Sequence, residues 1–215
     1  MMADLTGTIR AERLALIDLL ETLRPDQWAT PSLCDGWTVQ DVAAHIAIAP
    51  SISPHRGFVA LARSGFRVNR MIADLAVRYA GRGPGPIIEQ LRENAAVGAR
   101  PIGLPEVAAL VDALVHGLDI RRPLGVTRTI SRDAFVTAAD WLVEQRWPMT
   151  IPVGGSRVQK TISGVRLVAN DVGWSHGSGP EVHGTAETML LLLTGRPIGA
   201  TELTGPGAME VYRRL

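Results

Sequence analysis

The chain has 215 residues, 46% of them hydrophobic and 20% charged, enough for one mid-sized core or for a main domain with a small companion. Lys and Arg number 22 against 21 Asp and Glu, a formal net charge of +1, which gives no compositional ground for nucleic acid or an anionic membrane as the main partner. A single cysteine, Cys34, excludes an internal disulfide, and the apolar run Met189 to Leu193 is far too short to span a bilayer.

The opening stretch MMADLTGTIRAE lacks the basic-then-apolar order of a signal peptide, so a cytoplasmic protein is expected. Residues 5–23 repeat apolar positions at Leu5, Ile9, Leu14, Leu16, Leu19, Leu20 and Leu23, a spacing that suits an amphipathic helix, and Arg24-Pro25 stops the pattern. The stretch PDQWATPSLCDGW, with two prolines, a glycine and two tryptophans, reads as a packed loop without an element of its own. Thr38 with Asp41 three residues later forms a capping-box pattern, and a helix of Val, Ala and Ile follows to Ala49.

Residues 55–80 predict one long helix with Arg63, Arg67 and Arg70 on a solvated face, ended by GRGPGP at 81–86. Further helices are expected over 86–98, over 104–120 with Pro105 near the first turn, and over 131–146 with Ser131 as N-cap. After Pro148 the string RVQKTISGVRLVAND alternates polar and β-branched residues about Gly164, the pattern of a hairpin, and WSHGSGPEVHG reads as turns. A short helix over 185–195 ended by Gly195 and a last helix in GPGAMEVYRRL complete the chain. The expected fold is α+β, mainly α, with a helical bundle over 1–147 and a small α+β domain over 148–215.

Two helices carry the chemistry. Between Val42 and Ala49 the only polar side chain is His45, and between Val107 and Ile120 the only ones are Asp112, His116 and Asp119. At 100° per residue the latter three share a stripe about 60° wide on an otherwise apolar helix. A carboxylate turned into a dry interior needs a cation or hydrogen-bond donors. His45, Asp112 and His116 supply three ligands for zinc or a similar divalent ion, with Asp119 placed to orient an imidazole from behind. The alternative is a hydrogen-bonded core histidine on each helix. Cys34 has no basic neighbour in sequence and reads as a packed or semi-exposed thiol, and His176 and His183 lie in the glycine-rich tail with no ligand pattern.

The strings PSLCDGWTVQDVAAHIA and DALVHGLDIRRPLG, with WSHGSGPEVHGTAETMLLLLTGRP and ELTGPG near the end, closely resemble the mycothiol-dependent maleylpyruvate isomerase family, within the DinB-like metal-binding bundles. The resemblance implies a DinB-like N-terminal bundle whose metal is held by His45, Asp112 and His116, although family members often carry Glu where this chain has Asp112. It implies a divalent metal, zinc foremost, and mycothiol as thiol cosubstrate. In such an isomerase the thiolate adds to an activated double bond, the bond rotates, and the thiol leaves; the same arrangement serves S-transfer. Arg196 matches the family's arginine at the end of the C-terminal helix, a catalytic-site cation for an anionic substrate. A small-molecule substrate and a low-molecular-weight thiol are thus the expected partners, with no nucleic acid, no membrane and a monomeric chain. A non-catalytic metal- or ligand-binding protein on the same fold is the rival from another class, and a metal-dependent hydrolase is a third.

Overall fold

A computed structural model describes residues 5–145 and 157–215. The chain packs as two units, Met1–Thr127 and Arg128–Leu215. In the first, α1 (Leu5–Glu21) and a short α2 (Pro25–Trp28) lead through a loop to α3 (Val39–Ile48) and a 3-10 turn at Ala49–Ser51. They are followed by α4 (Pro54–Arg63), α5 (Val68–Ala80), α6 (Pro84–Val97) and α7 (Glu106–Arg121). Helix α3 packs on α5, α6 and α7, and α1 on α6 and α7.

The reason α3 takes the centre lies in its composition. Val39, Val42, Ala43, Ala44, Ile46 and Ala47 are buried, and alanines let neighbouring helices approach closely. Its start is fixed by the expected capping box: the Asp41 amide donates to the Thr38 hydroxyl oxygen at 3.2 Å, while the Thr38 amide donates to Asp41 Oδ2 at 2.9 Å. The buried Asn94 of α6 donates to the Ala47 carbonyl at 2.7 Å, satisfying one of the free acceptors in the last turn of α3.

Residues 55–80 form two helices, not the single one predicted. The Ser64-Gly65-Phe66 corner separates α4 from α5: Gly65 has φ 67° and Phe66 has φ 58°, and the Phe66 amide donates back to the Leu61 carbonyl at 2.9 Å. That is a left-handed helix stop. Arg63 therefore ends α4 and Arg67 precedes α5, so the three arginines do not share one helix face. The loop before α3 likewise contains the short α2, which starts at Pro25.

The second unit contains α8 (Arg132–Glu144), α9 (Arg157–Thr161), β1 (Arg166–Ala169), β2 (Trp174–Gly177), β3 (Glu181–Gly184), α10 (Ala186–Leu193) and α11 (Ala208–Arg214). The sheet order is β2-β1-β3, with β2 antiparallel and β3 parallel to β1. Helix α10 packs on α8 and β1, and α11 on α9 and β3. The Phe135 and Trp174 rings meet edge to face at 5.4 Å, and the Trp174 indole N–H donates to Asp140 Oδ1 at 2.7 Å. The sequence assigns α8 to the bundle, whereas these contacts tie it to the second unit. The 147/148 boundary itself lies outside the described residues.

Two expectations here are corrected. The hairpin is not centred on Gly164: residues 157–161 form α9, and the antiparallel pair is β1 with β2. WSHGSGPEVHG is not only turns, since it supplies β2 and β3. Helix α10 begins at its Thr185 cap and Gly195, at φ 69°, follows its end as expected. The mainly α, α+β class read from the sequence is the class of the fold. No described helix is long and apolar enough to cross a membrane.

Candidate metal centre

The expected ligand residues of the first unit come together. His45 lies in the last turn of α3, and Asp112 and His116 lie one turn apart on α7, the helix that packs against α3. His45 Nε2 is 3.6 Å and His116 Nε2 is 3.5 Å from the same atom, Asp112 Oδ1. The two rings meet edge to face with centroids 4.8 Å apart, and one ligand atom from each of the three residues fits within 4.8 Å of the others.

These spacings bear on both readings of the cluster, a hydrogen-bonded core and a metal site. At 3.5 and 3.6 Å the contacts are long for hydrogen bonds between nitrogen and a carboxylate oxygen. Two donors each about 2.1 Å from a tetrahedral zinc are about 3.4 Å apart, close to what is found. The donor set of two imidazoles and a carboxylate also suits zinc and leaves a position for an exogenous ligand. The three side chains are partly accessible, at 15%, 27% and 14% for His45, Asp112 and His116.

Asp119 takes the orienting place that the stripe on α7 predicts. It is fully buried, and its Oδ2 lies 2.8 Å from His116 Nδ1. A carboxylate there accepts the Nδ1 proton and leaves Nε2, which faces Asp112 and His45, with the lone pair a metal needs. Burial alone would lower the His116 pKa, but the hydrogen bonds with Asp119 and Cys34 and the charges of Asp112 and Asp119 push it up to about 10. Burial alone would raise the Asp112 carboxyl; its interaction with His45 and the charges of His116, His45 and Arg13 outweigh this and hold it below its ordinary value.

Sequence reasoning missed three contributors. The Cys34 thiol, read as packed or semi-exposed and not as a nucleophile, lies 3.0 Å from Asp119 Oδ2 and 3.9 Å from His116 Nδ1. The Trp37 ring packs against His45 at 5.6 Å. Arg13 is a buried cation on α1 whose charge reaches Asp112. The only signal for the first two was the density of unusual residues in the loop before α3. In the second unit, Arg196 follows α10 and is half-buried, and its guanidinium donates to the Thr194 carbonyl at 3.0 Å. His183 is bonded to Asn170 and Glu181, and His176 stacks on Trp174. Neither belongs to a ligand cluster among the described residues.

Residues 9–96 match the family model of the mycothiol maleylpyruvate isomerase N-terminal domain. That span includes His45 and ends before Asp112 and His116. Among solved structures, the chain is similar to a mycothiol-dependent maleylpyruvate isomerase at 16% identity and a TM-score of 0.53, with 97% of this chain and 94% of that one covered. A histidine-to-alanine mutant of the mycothiol-dependent maleylpyruvate isomerase gives the same coverage and identity with a TM-score of 0.52. No curated protein gives a significant match. Residues 9–96 thus resemble that N-terminal domain, and the fold is similar to that of the isomerase.

Proposed function

We propose that this chain is a metal-dependent, mycothiol-dependent isomerase or S-transferase acting on a small electrophile such as maleylpyruvate. The observation that carries the proposal is the convergence of His45 Nε2 and His116 Nε2 on Asp112 Oδ1 at 3.6 and 3.5 Å, in a chain whose N-terminal part matches this family. His45, Asp112 and His116 would hold the ion, with zinc the expected metal. When bound, a zinc ion supplies the positive charge that keeps a coordinated thiol deprotonated at neutral pH.

The chain's own groups do the rest. Asp119 fixes the His116 tautomer and ring orientation, and the Trp37 ring holds the His45 imidazole against turning. Asp112 brings one negative charge, so the three ligands leave a net positive centre that favours an anionic sulfur. Arg196 is the proposed cation for an anionic group of the substrate, in line with its family position. The proposal places the chain in the cytoplasm, where low-molecular-weight thiols are kept reduced.

The test has two parts. Purified, tag-free protein should carry zinc, and it should turn over maleylpyruvate or a generic electrophile only when both metal and thiol are present. Metal binding with no thiol-dependent turnover favours the non-catalytic alternative, and turnover with water alone favours a hydrolase.

A further inference from the structure

Cys34 lies in the loop between α2 and α3, which is closed on itself. Pro31 pairs with Thr38 across its base, the Ser32 amide donates to the Trp37 carbonyl at 2.8 Å, and the Trp37 amide donates to the Cys34 carbonyl at 3.0 Å. The Cys34 amide in turn donates to the Ser32 hydroxyl oxygen at 3.1 Å. The loop is tied to α7 at Asp119: the Leu33 amide donates to the Asp119 carbonyl at 3.2 Å, and Cys34 Sγ lies 3.0 Å from Asp119 Oδ2.

An ionised carboxylate only accepts hydrogen bonds, so at this distance the thiol is the donor. Asp119 Oδ2 then accepts from two sides, from Cys34 at 3.0 Å and from His116 Nδ1 at 2.8 Å. The same loop sets Trp37 against His45, so one closed segment touches the supports of both histidines. Packing alone does not require a sulfur aimed at a carboxylate oxygen.

We propose that Cys34 is a positioning residue of the metal centre: its thiol donates to Asp119 Oδ2, holds that carboxylate turned to His116 Nδ1, and so presents His116 Nε2 to the ion. The inference rests on the metal role of His45, Asp112 and His116. It assigns the protein's one cysteine a task other than nucleophile or ligand.

The experiment is a zinc titration of the full-length, metal-free protein against a chromophoric chelator, comparing wild type with Cys34→Val and Cys34→Ser. Valine matches the volume and lacks the donor; serine keeps a donor and is smaller. Loss of an outer-shell partner lowers metal affinity by about 10-fold or more, so Cys34→Val should show that loss while Cys34→Ser stays within about threefold of wild type. If Cys34 only fills space, the order reverses, with valine harmless and serine impaired, and the proposal falls; equal affinities in all three proteins overturn it as well. Thermal unfolding of the metal-free forms checks that both variants fold, and Cys34→Ala, which removes the donor without adding bulk, should reproduce the loss if valine does not fold. A wild-type protein that binds no zinc defeats the metal assignment and this inference together. Tight zinc binding unaffected by valine defeats this inference alone.

Discussion

In the proposed centre Asp119 supplies no ligand atom, and its Oδ2, 2.8 Å from His116 Nδ1, would set how His116 is used. Asp119→Asn replaces an acceptor-only group by an amide that holds the imidazole less firmly, and zinc affinity is expected to fall by about 10- to 100-fold with the chelator assay as the measure. The raised His116 pKa has its own consequence. With a value of about 10 against an ordinary 6.5, the metal-free side chain is protonated at neutral pH, so a metal ion must displace that proton. Apparent zinc affinity should therefore rise with pH, by about tenfold per unit between pH 7 and 9. For the metal-free fold the sign is opposite: stabilisation by protonated His116 is complete below 6.5 and is lost as pH climbs through about 10. The urea midpoint of the metal-free protein should drop over that interval, and the drop should shrink in His116→Ala. The cluster of His45, Asp112, His116 and Asp119 was legible because each is the polar exception on an apolar helix. Cys34 was not, because its partner Asp119 is 85 positions away, and nothing local in sequence announces such a contact.

At the scale of elements, the helix starts were the most readable features, since a cap is written in the few residues that form it. Thr38→Ala removes the hydroxyl that accepts the Asp41 amide, and a loss of about 1 kcal/mol in unfolding free energy is expected from chemical denaturation. Because α3 also carries His45, the same variant should weaken zinc binding slightly if its first turn frays. The errors fell where local pattern permits two answers. Val158, Ile162 and Val165 recur at helical spacing within a string that also alternates, and the helix prevails up to Thr161 before β1 begins. Only from Val165 does alternation mark the sheet, with Val165, Leu167 and Ala169 buried and Arg166 exposed. The break between α4 and α5 was hidden because a single glycine inside a helical pattern is often tolerated. What stops α4 is the pairing of Gly65 with a left-handed Phe66 and with Ser64, whose hydroxyl donates to the Leu61 and Arg67 carbonyls at 2.7 and 3.1 Å.

At the scale of the whole molecule, the proposed ligands and their supports lie in the first unit, and Arg196 in the second. Zinc affinity should therefore be insensitive to damage confined to the second unit. Trp174→Phe removes the indole donor to Asp140 Oδ1, and it should cost about 1 to 2 kcal/mol of stability while leaving the zinc titration unchanged. The fold class was legible from the density of helical patterns, because helices are specified by residues close in sequence. The membership of α8 was not, since it depends on Trp174 and Phe135 meeting from positions 39 residues apart. A helix with an apolar face records that it must be covered and says nothing of what covers it.

The central claim is that His45, Asp112 and His116 form a metal site, and metal analysis of tag-free protein tests it most directly. Plasma mass spectrometry of the wild type, His45→Ala and His116→Ala should find about one equivalent of divalent metal, zinc foremost, in the wild type and little in either variant. A wild-type protein that is metal-free as purified and takes up no added zinc, or variants that keep the full complement of metal, would contradict it.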